Sequence, residues 1–159
     1  MNVMNSSNHA RTSALALTFV AALTLGGAGV AAAAPPDSPA IPLNTGQEVP
    51  APTLDGNHGL GGARGTFSYD IDGSQLCWEL SVTGLSAPAT AAHIHVAERN
   101  AAGPVVVPLT VQSATSFETS GCATPPPAVL AAIDDDPRAY YVNVHNASNP
   151  AGEIRGQLK

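Results

Sequence analysis

The chain has 159 residues, of which 44% are apolar and 4% aromatic, and its twelve acidic against six basic side chains give a formal net charge of −6. That balance argues against a nucleic-acid partner, which needs a basic face to displace the counterions of its phosphates. With so few aromatic residues, the core must be built largely from Val, Leu, Ile and Ala.

Met1 to about Ala33 has the three parts of an export signal. Arg11 closes a polar opening, Ala14 to Leu25 is the apolar run, and Ala31, Ala32, Ala33 and Ala34 are the small residues that a signal peptidase accepts. Cleavage after Ala33 is favoured over cleavage beside Pro35. Gly26, Gly27 and Gly29 interrupt the run before it reaches the roughly 20 residues of a membrane anchor. Without its first 33 residues the mature chain has 126, the size of one domain. It keeps five basic and twelve acidic residues, a formal charge of −7. The expectation is a protein secreted or held in the cell envelope, with no membrane span in its mature form.

Residues 34–40 form a proline-rich linker, since proline at that density resists helix and sheet. The domain, residues 41–159, opens with a short strand at Gln47-Glu48-Val49-Pro50, followed by a glycine-rich loop from Gly56 to Gly65 that contains His58. From Thr66 to Val82 two alternating runs flank Asp72-Gly73, the pattern of a two-residue hairpin. Phe67, Tyr69 and Ile71 share one face, as do Leu76, Trp78, Leu80 and Val82, which leaves Cys77 on the face opposite Trp78. Further strands are expected at Ala92–Ala97, Val105–Val107, Tyr140–His145 and Glu153–Leu158. Ser113 to Pro127 reads mostly as loop, and residues 128–133 allow one short helix after their prolines. Many short strands with regular turns define an all-β, antiparallel, Greek-key-like β-sandwich.

Cys77 and Cys122 are the two cysteines, and in a chain sent to an oxidising compartment the simplest inference is one disulfide. Neither lies in a paired metal-ligand motif.

His93 and His95 stand two apart in a strand, so both imidazoles point the same way and can converge on one ion. If Val142 and Val144 face the core, His145 shares an exposed face with Tyr141 and Asn143. Should its strand lie beside that of His93, His145 becomes a third ligand. Three histidines suit copper, or zinc, better than magnesium or calcium. Such pairs also occur as polar ladders without metal, and a lone histidine such as His58 is commonly a surface residue. Glu48, Glu153 and Arg155 are the remaining candidates. Glu153 and Arg155 alternate with Ile154 and are expected to face solvent or the histidines, as an ordinary cross-strand ion pair. No Gly-x-Ser-x-Gly elbow marks a hydrolytic nucleophile.

Gly46-Gln47-Glu48-Val49-Pro50, Ala92-His93-Ile94-His95, Tyr141-Val142-Asn143-Val144-His145 and Pro150-Ala151-Gly152-Glu153-Ile154-Arg155-Gly156-Gln157-Leu158 together resemble the CHRD domain, the module named after chordin. The resemblance implies an extracellular-type β-sandwich and the pairing of His93, His95 and His145. A more distant likeness is to copper-zinc superoxide dismutase, through His93-Ile94-His95, Gly103-Pro104 with Pro108-Leu109, and Val144-His145. It implies copper at His93, His95 and His145, with Arg155 placed like the arginine that guides the anionic substrate. Only His145 follows the His93/His95 pair, so the bridging histidine and zinc-ligand loop of that family are missing, and only His58 is left to complete a four-histidine site.

Three readings follow: an exported module binding a copper or zinc ion, a redox enzyme like a copper-only dismutase, and a metal-free adhesion or interaction module.

Overall fold

The computed structural model describes residues 38–49 and 62–159, so the expected export signal, most of the linker and His58 lie outside the described residues. Eight strands appear there: β1 (Ile41–Asn44), β2 (Arg64–Asp72), β3 (Gln75–Thr83), β4 (Ala89–Val96), β5 (Val105–Leu109), β6 (Phe117–Ala123), β7 (Tyr140–Asn146) and β8 (Ile154–Gln157). They form one sheet in the order β5-β4-β7-β8-β1-β2-β3-β6, with antiparallel pairing throughout. The last strand thus returns to lie beside the first. The end strands β5 and β6 come into contact, so the sheet nearly closes on itself around one core. This is the all-β antiparallel fold expected, with its one short helix at α1 (Pro127–Asp135).

Alternation explains which residues fill the interior. Phe67, Leu76, Leu80, Val82, Ile94, Val142, Val144 and Ile154 are buried on the inner face, and Leu130 and Ile133 of α1 pack against the same cluster. In the β2–β3 hairpin, Phe67 lies opposite Leu80, Tyr69 opposite Trp78 and Ile71 opposite Leu76. The turn is Gly73-Ser74 rather than Asp72-Gly73, with Gly73 at φ 59°. Moving a turn by one position shifts the partner by two, and a shift of two keeps every side chain on its own face.

Two local expectations are corrected. Thr45–Gln47 is a 3-10 turn, and the opening strand is the preceding Ile41–Asn44. The segment read as loop contains β6, whose inward positions include Thr119, Gly121 and Ala123. These are small because the strand faces Trp78: a β-carbon on Gly121 would stand 2.8 Å from Cζ2 of the indole. The large residue that completes this part of the core therefore sits on the neighbouring strand.

Cys77 and Cys122 are direct partners across β3 and β6 and form the expected disulfide. It closes a sequence separation of 45 residues and pins an end strand. Replacing both cysteines by serine, or reducing the bond, is expected to cost about 4 kcal/mol through the added freedom of the unfolded chain. Urea unfolding with and without reductant measures this, and the serine variant should not respond to reductant.

Candidate metal centre

The hydrogen-bond register of three neighbouring strands assembles the site. On β4 and β7, His93 lies opposite Asn143 and His95 opposite Tyr141. On β7 and β8, Asn143 lies opposite Arg155 and Tyr141 opposite Gln157. Their inward neighbours Ile94, Val142, Val144 and Ile154 are all fully buried, which commits the alternate residues to the other side of the sheet.

That other side is not exposed, contrary to the sequence expectation. Tyr141 is 3% exposed, Asn143 1%, Glu153 0% and Arg155 1%. Residues 97–103 and 150–151 present backbone carbonyls to the polar side chains of this face, while Glu153 is bound by Ser86 and Asn146. Such cover satisfies buried donors, and without it this face would have to meet water.

His93, His95 and His145 come together, one ring nitrogen from each lying within 4.8 Å of the others. Three atoms so spaced share a point no more than about 2.8 Å from each, close to the 2.0–2.1 Å of a metal–imidazole bond. His93 Nδ1 and His145 Nε2 are 3.1 Å apart, near the roughly 3.4 Å between two nitrogens on one tetrahedral ion. The widest pair must draw in by less than about 1.5 Å, which side-chain rotation supplies.

Carbonyl partners orient two of the rings. His95 Nδ1 donates to the Gly103 carbonyl at 2.8 Å, and His145 Nδ1 donates to that of Pro150 at 3.1 Å. A carbonyl only accepts, so in each neutral ring Nε2 is left with a lone pair. His95 Nε2 is buried with no hydrogen-bond partner, as is Asn143 Oδ1. Buried, donor-less lone pairs are costly, and a cation satisfies them. The donor set therefore fits a metal ion. His93 is half-buried, whereas His95 is buried.

A stack supports the cluster from one flank. His95 lies parallel to the Tyr141 ring, with centroids 4.8 Å apart at 7°. The Arg155 guanidinium sits 3.3 Å from the same ring's centroid, and Arg155 comes from the strand on the other side of β7. Arg155 also donates to the Ala101 and Glu98 carbonyls at 2.7 and 3.0 Å and to Gln157 Oε1 at 3.2 Å. Gly103 joins the two systems, since its N–H donates to the Tyr141 hydroxyl while its carbonyl holds His95. A β-carbon there would lie 1.9 Å from the Val96 carbonyl oxygen, so only glycine fits.

Glu153 and Arg155 do not pair with each other. Glu153 accepts from the Ser86 N–H and hydroxyl and from Asn146 Nδ2, tying residues 84–87 to the loop after β7. Glu48, 5% exposed, accepts from the Val49 N–H and from Asn143 Nδ2. Burial pushes its carboxyl up from the ordinary range, against smaller opposing effects of Val49, Arg155 and Asn143. The roles of Tyr141, Asn143, Gly103 and Gln157 were not foreseen. Polar and aromatic residues at 141, 143, 145 and at 153, 155, 157 form a second alternating pattern, which was the available signal.

Burial lowers all three histidines, with the neighbouring charges as a further cause. His145 falls to about 4, through burial first and the nearby His93 next, with the Pro150 carbonyl opposing. Its unfolded value near 6.5 is higher, so the unfolded chain takes up the proton first as pH falls. Above about pH 6.5 the ring is neutral in both states and has no effect, and as the pH approaches 4 the metal-free protein should lose roughly 3 kcal/mol of stability. Urea midpoints at pH 7 and pH 4.5 test this, and His145→Gln should reduce the difference, leaving the part owed to His93 and His95.

Among the described residues, no helix is long and apolar enough to cross a membrane. No curated protein and no solved structure matches the chain, and nothing in these comparisons supports the likeness to copper-zinc superoxide dismutase. The family model for the CHRD domain matches residues 40–158, a span that contains the three histidines and the strands that present them. The chain belongs to the CHRD domain family.

Proposed function

We propose that this is an exported metal-binding module that holds a copper ion, or less favourably zinc, through His93, His95 and His145. The observation that carries this reading is a set of three imidazole nitrogens within 4.8 Å of one another, two of the rings being oriented by backbone carbonyls. Nitrogen donors of this kind suit both metals. Held there, copper is stored, delivered or kept away from the cell envelope. The disulfide and the apolar N-terminal segment support an oxidising, extracytoplasmic destination. His58 is a further candidate ligand.

The metal-free reading draws on the 3.1 Å contact between His93 and His145, which serves as a hydrogen bond when one ring carries the proton. It leaves His95 Nε2 buried and unpartnered, and for that reason ranks second. The dismutase-like reading is weaker still. Arg155 is 1% exposed, its donors are taken up by carbonyls and Gln157, and the acidic chain repels an anionic substrate.

Titration of the metal-free protein with Cu(II) and Zn(II), read by native mass spectrometry with and without chelator, tests the proposal. One ion per chain is expected for the wild type and none for His93→Ala/His95→Ala. Equal uptake by both proteins would sink it.

A further inference from the structure

We propose that Asn143 Oδ1 is the fourth donor to the metal, making the site a three-nitrogen, one-oxygen set. This rests on the metal-binding reading above and goes beyond it, since three histidines alone leave the remaining coordination position to water.

Asn143 occupies the middle of the cluster. It lies directly opposite His93 on β4 and is two residues from His145 on its own strand, and Tyr141, two residues the other way, lies opposite His95. Side chains of these alternate positions share one face of the sheet. The amide is 1% exposed, and its orientation follows from its partners rather than from assignment. On one side stand two acceptors, the Glu48 carboxylate at 3.4 Å and the Ala151 carbonyl at 3.3 Å. Only the amide nitrogen can donate to both, so the oxygen must take the opposite side.

There Oδ1 is buried without a donor, and His95 Nε2 is buried without one as well. Asn143 lies opposite His93, and His95 is two residues from His93 on the same strand, so both groups sit on one face of neighbouring strands. The His95 proton is already committed at Nδ1 to Gly103, so in the neutral ring two lone pairs share one dry space. Native proteins leave very few such groups unsatisfied. A single cation satisfies both together with His145 Nε2, and a mixed set of nitrogen and oxygen donors is one that Cu(II) accepts.

The rear of the amide is rigidly held. Gly152, at φ 130°, lets the chain pass so close that a β-carbon would stand 2.6 Å from the Glu48 carboxyl carbon and 2.7 Å from Asn143 Nδ2. Glu48 comes from the segment after β1 and Gly152 from the loop before β8. Two sequence-distant motifs thus converge on the back of one amide and fix the direction of its oxygen, as outer partners fix the ligands of a metal.

The test is made on the purified, metal-free chain loaded with one equivalent of Cu(II). Pulsed electron paramagnetic resonance in D2O distinguishes an equatorial water, whose close deuterons give deep modulation, from a protein oxygen, where only the more distant exchangeable N–H deuterons contribute weakly. The wild type is expected to lack an equatorial water. Asn143→Leu, which keeps the volume and removes the donor, should gain that water and bind Cu(II) 10- to 100-fold more weakly, whereas Asn143→Asp should keep the water-free spectrum. An equatorial water in the wild type overturns the assignment even if neither variant folds. Unchanged affinity and spectrum in a folded Asn143→Leu overturns it too. Both results leave the three-histidine site standing, whereas a wild-type chain that takes up no copper removes both readings.

Discussion

Cu(II) at a thousand times its dissociation constant is expected to stabilise the wild-type protein by about 4 kcal/mol, and to leave His93→Ala/His95→Ala unchanged. The argument is mass action: an ion that binds only the folded arrangement of His93, His95 and His145 draws the equilibrium toward it. The unfolded chain separates His145 from His95 by 50 residues and competes poorly. For a domain of this size the shift in thermal midpoint is roughly 10–20 °C, reversed by chelator. The comparison to make is the copper-induced shift within each protein. The double variant has an altered baseline, because removing His95 strips the Gly103 carbonyl of its donor and uncovers one face of Tyr141. A copper-induced shift of equal size in both proteins would place the metal elsewhere.

Arg155→Ala is expected to cost about 3 kcal/mol or more, an unusually large effect for a residue of a type that normally sits at the surface. Its guanidinium reaches Ala101, Glu98 and Gln157, and it lies over the Tyr141 ring. Truncation removes the charged donor of two loop carbonyls and of Gln157 Oε1 and empties the space above an aromatic face, and a hydrogen bond from a charged group contributes about 1.5–3 kcal/mol. Arg155→Lys should recover little, because an ammonium cannot span two carbonyls and stack flat on the ring at once. Urea unfolding of the metal-free proteins measures the loss. The same variants should also weaken copper binding, since Arg155 holds residues 98–101 and Tyr141, which in turn support His95. A variant with wild-type stability would show that the covering loop is held by other contacts.

Both expectations concern a face that the sequence describes only in part. Alternation was enough to put His93 with His95, and Val142 with Val144, because the period of a strand is two wherever it lies in a fold. The hairpin at Gly73 was legible for the same local reason, and an error of one position in its turn cost nothing. Strand β6 was not legible, because its Gly121 is small only in order to admit Trp78 from the next strand. The burial of Tyr141, Asn143, Glu153 and Arg155 was equally hidden. It depends on carbonyls of Glu98, Ala101, Pro150 and Ala151, which belong to loops, and backbone carbonyls leave no mark in residue identity.

By itself, the sequence determined the all-β architecture, the cysteine pair and the orientation of each histidine relative to its own strand, since these follow from local periodicity and composition. Only the tertiary structure decided that β7 lies between β4 and β8, and hence that His145 meets His93 at 3.1 Å. It alone decided, too, that the polar face is roofed by backbone, so that Arg155 became a buried clamp rather than a surface charge and Asn143 a donor-less amide rather than a solvated one. The physical reason is that strand order and loop cover are set by contacts between residues far apart in the chain, and the free energy of those contacts appears only once the core has closed.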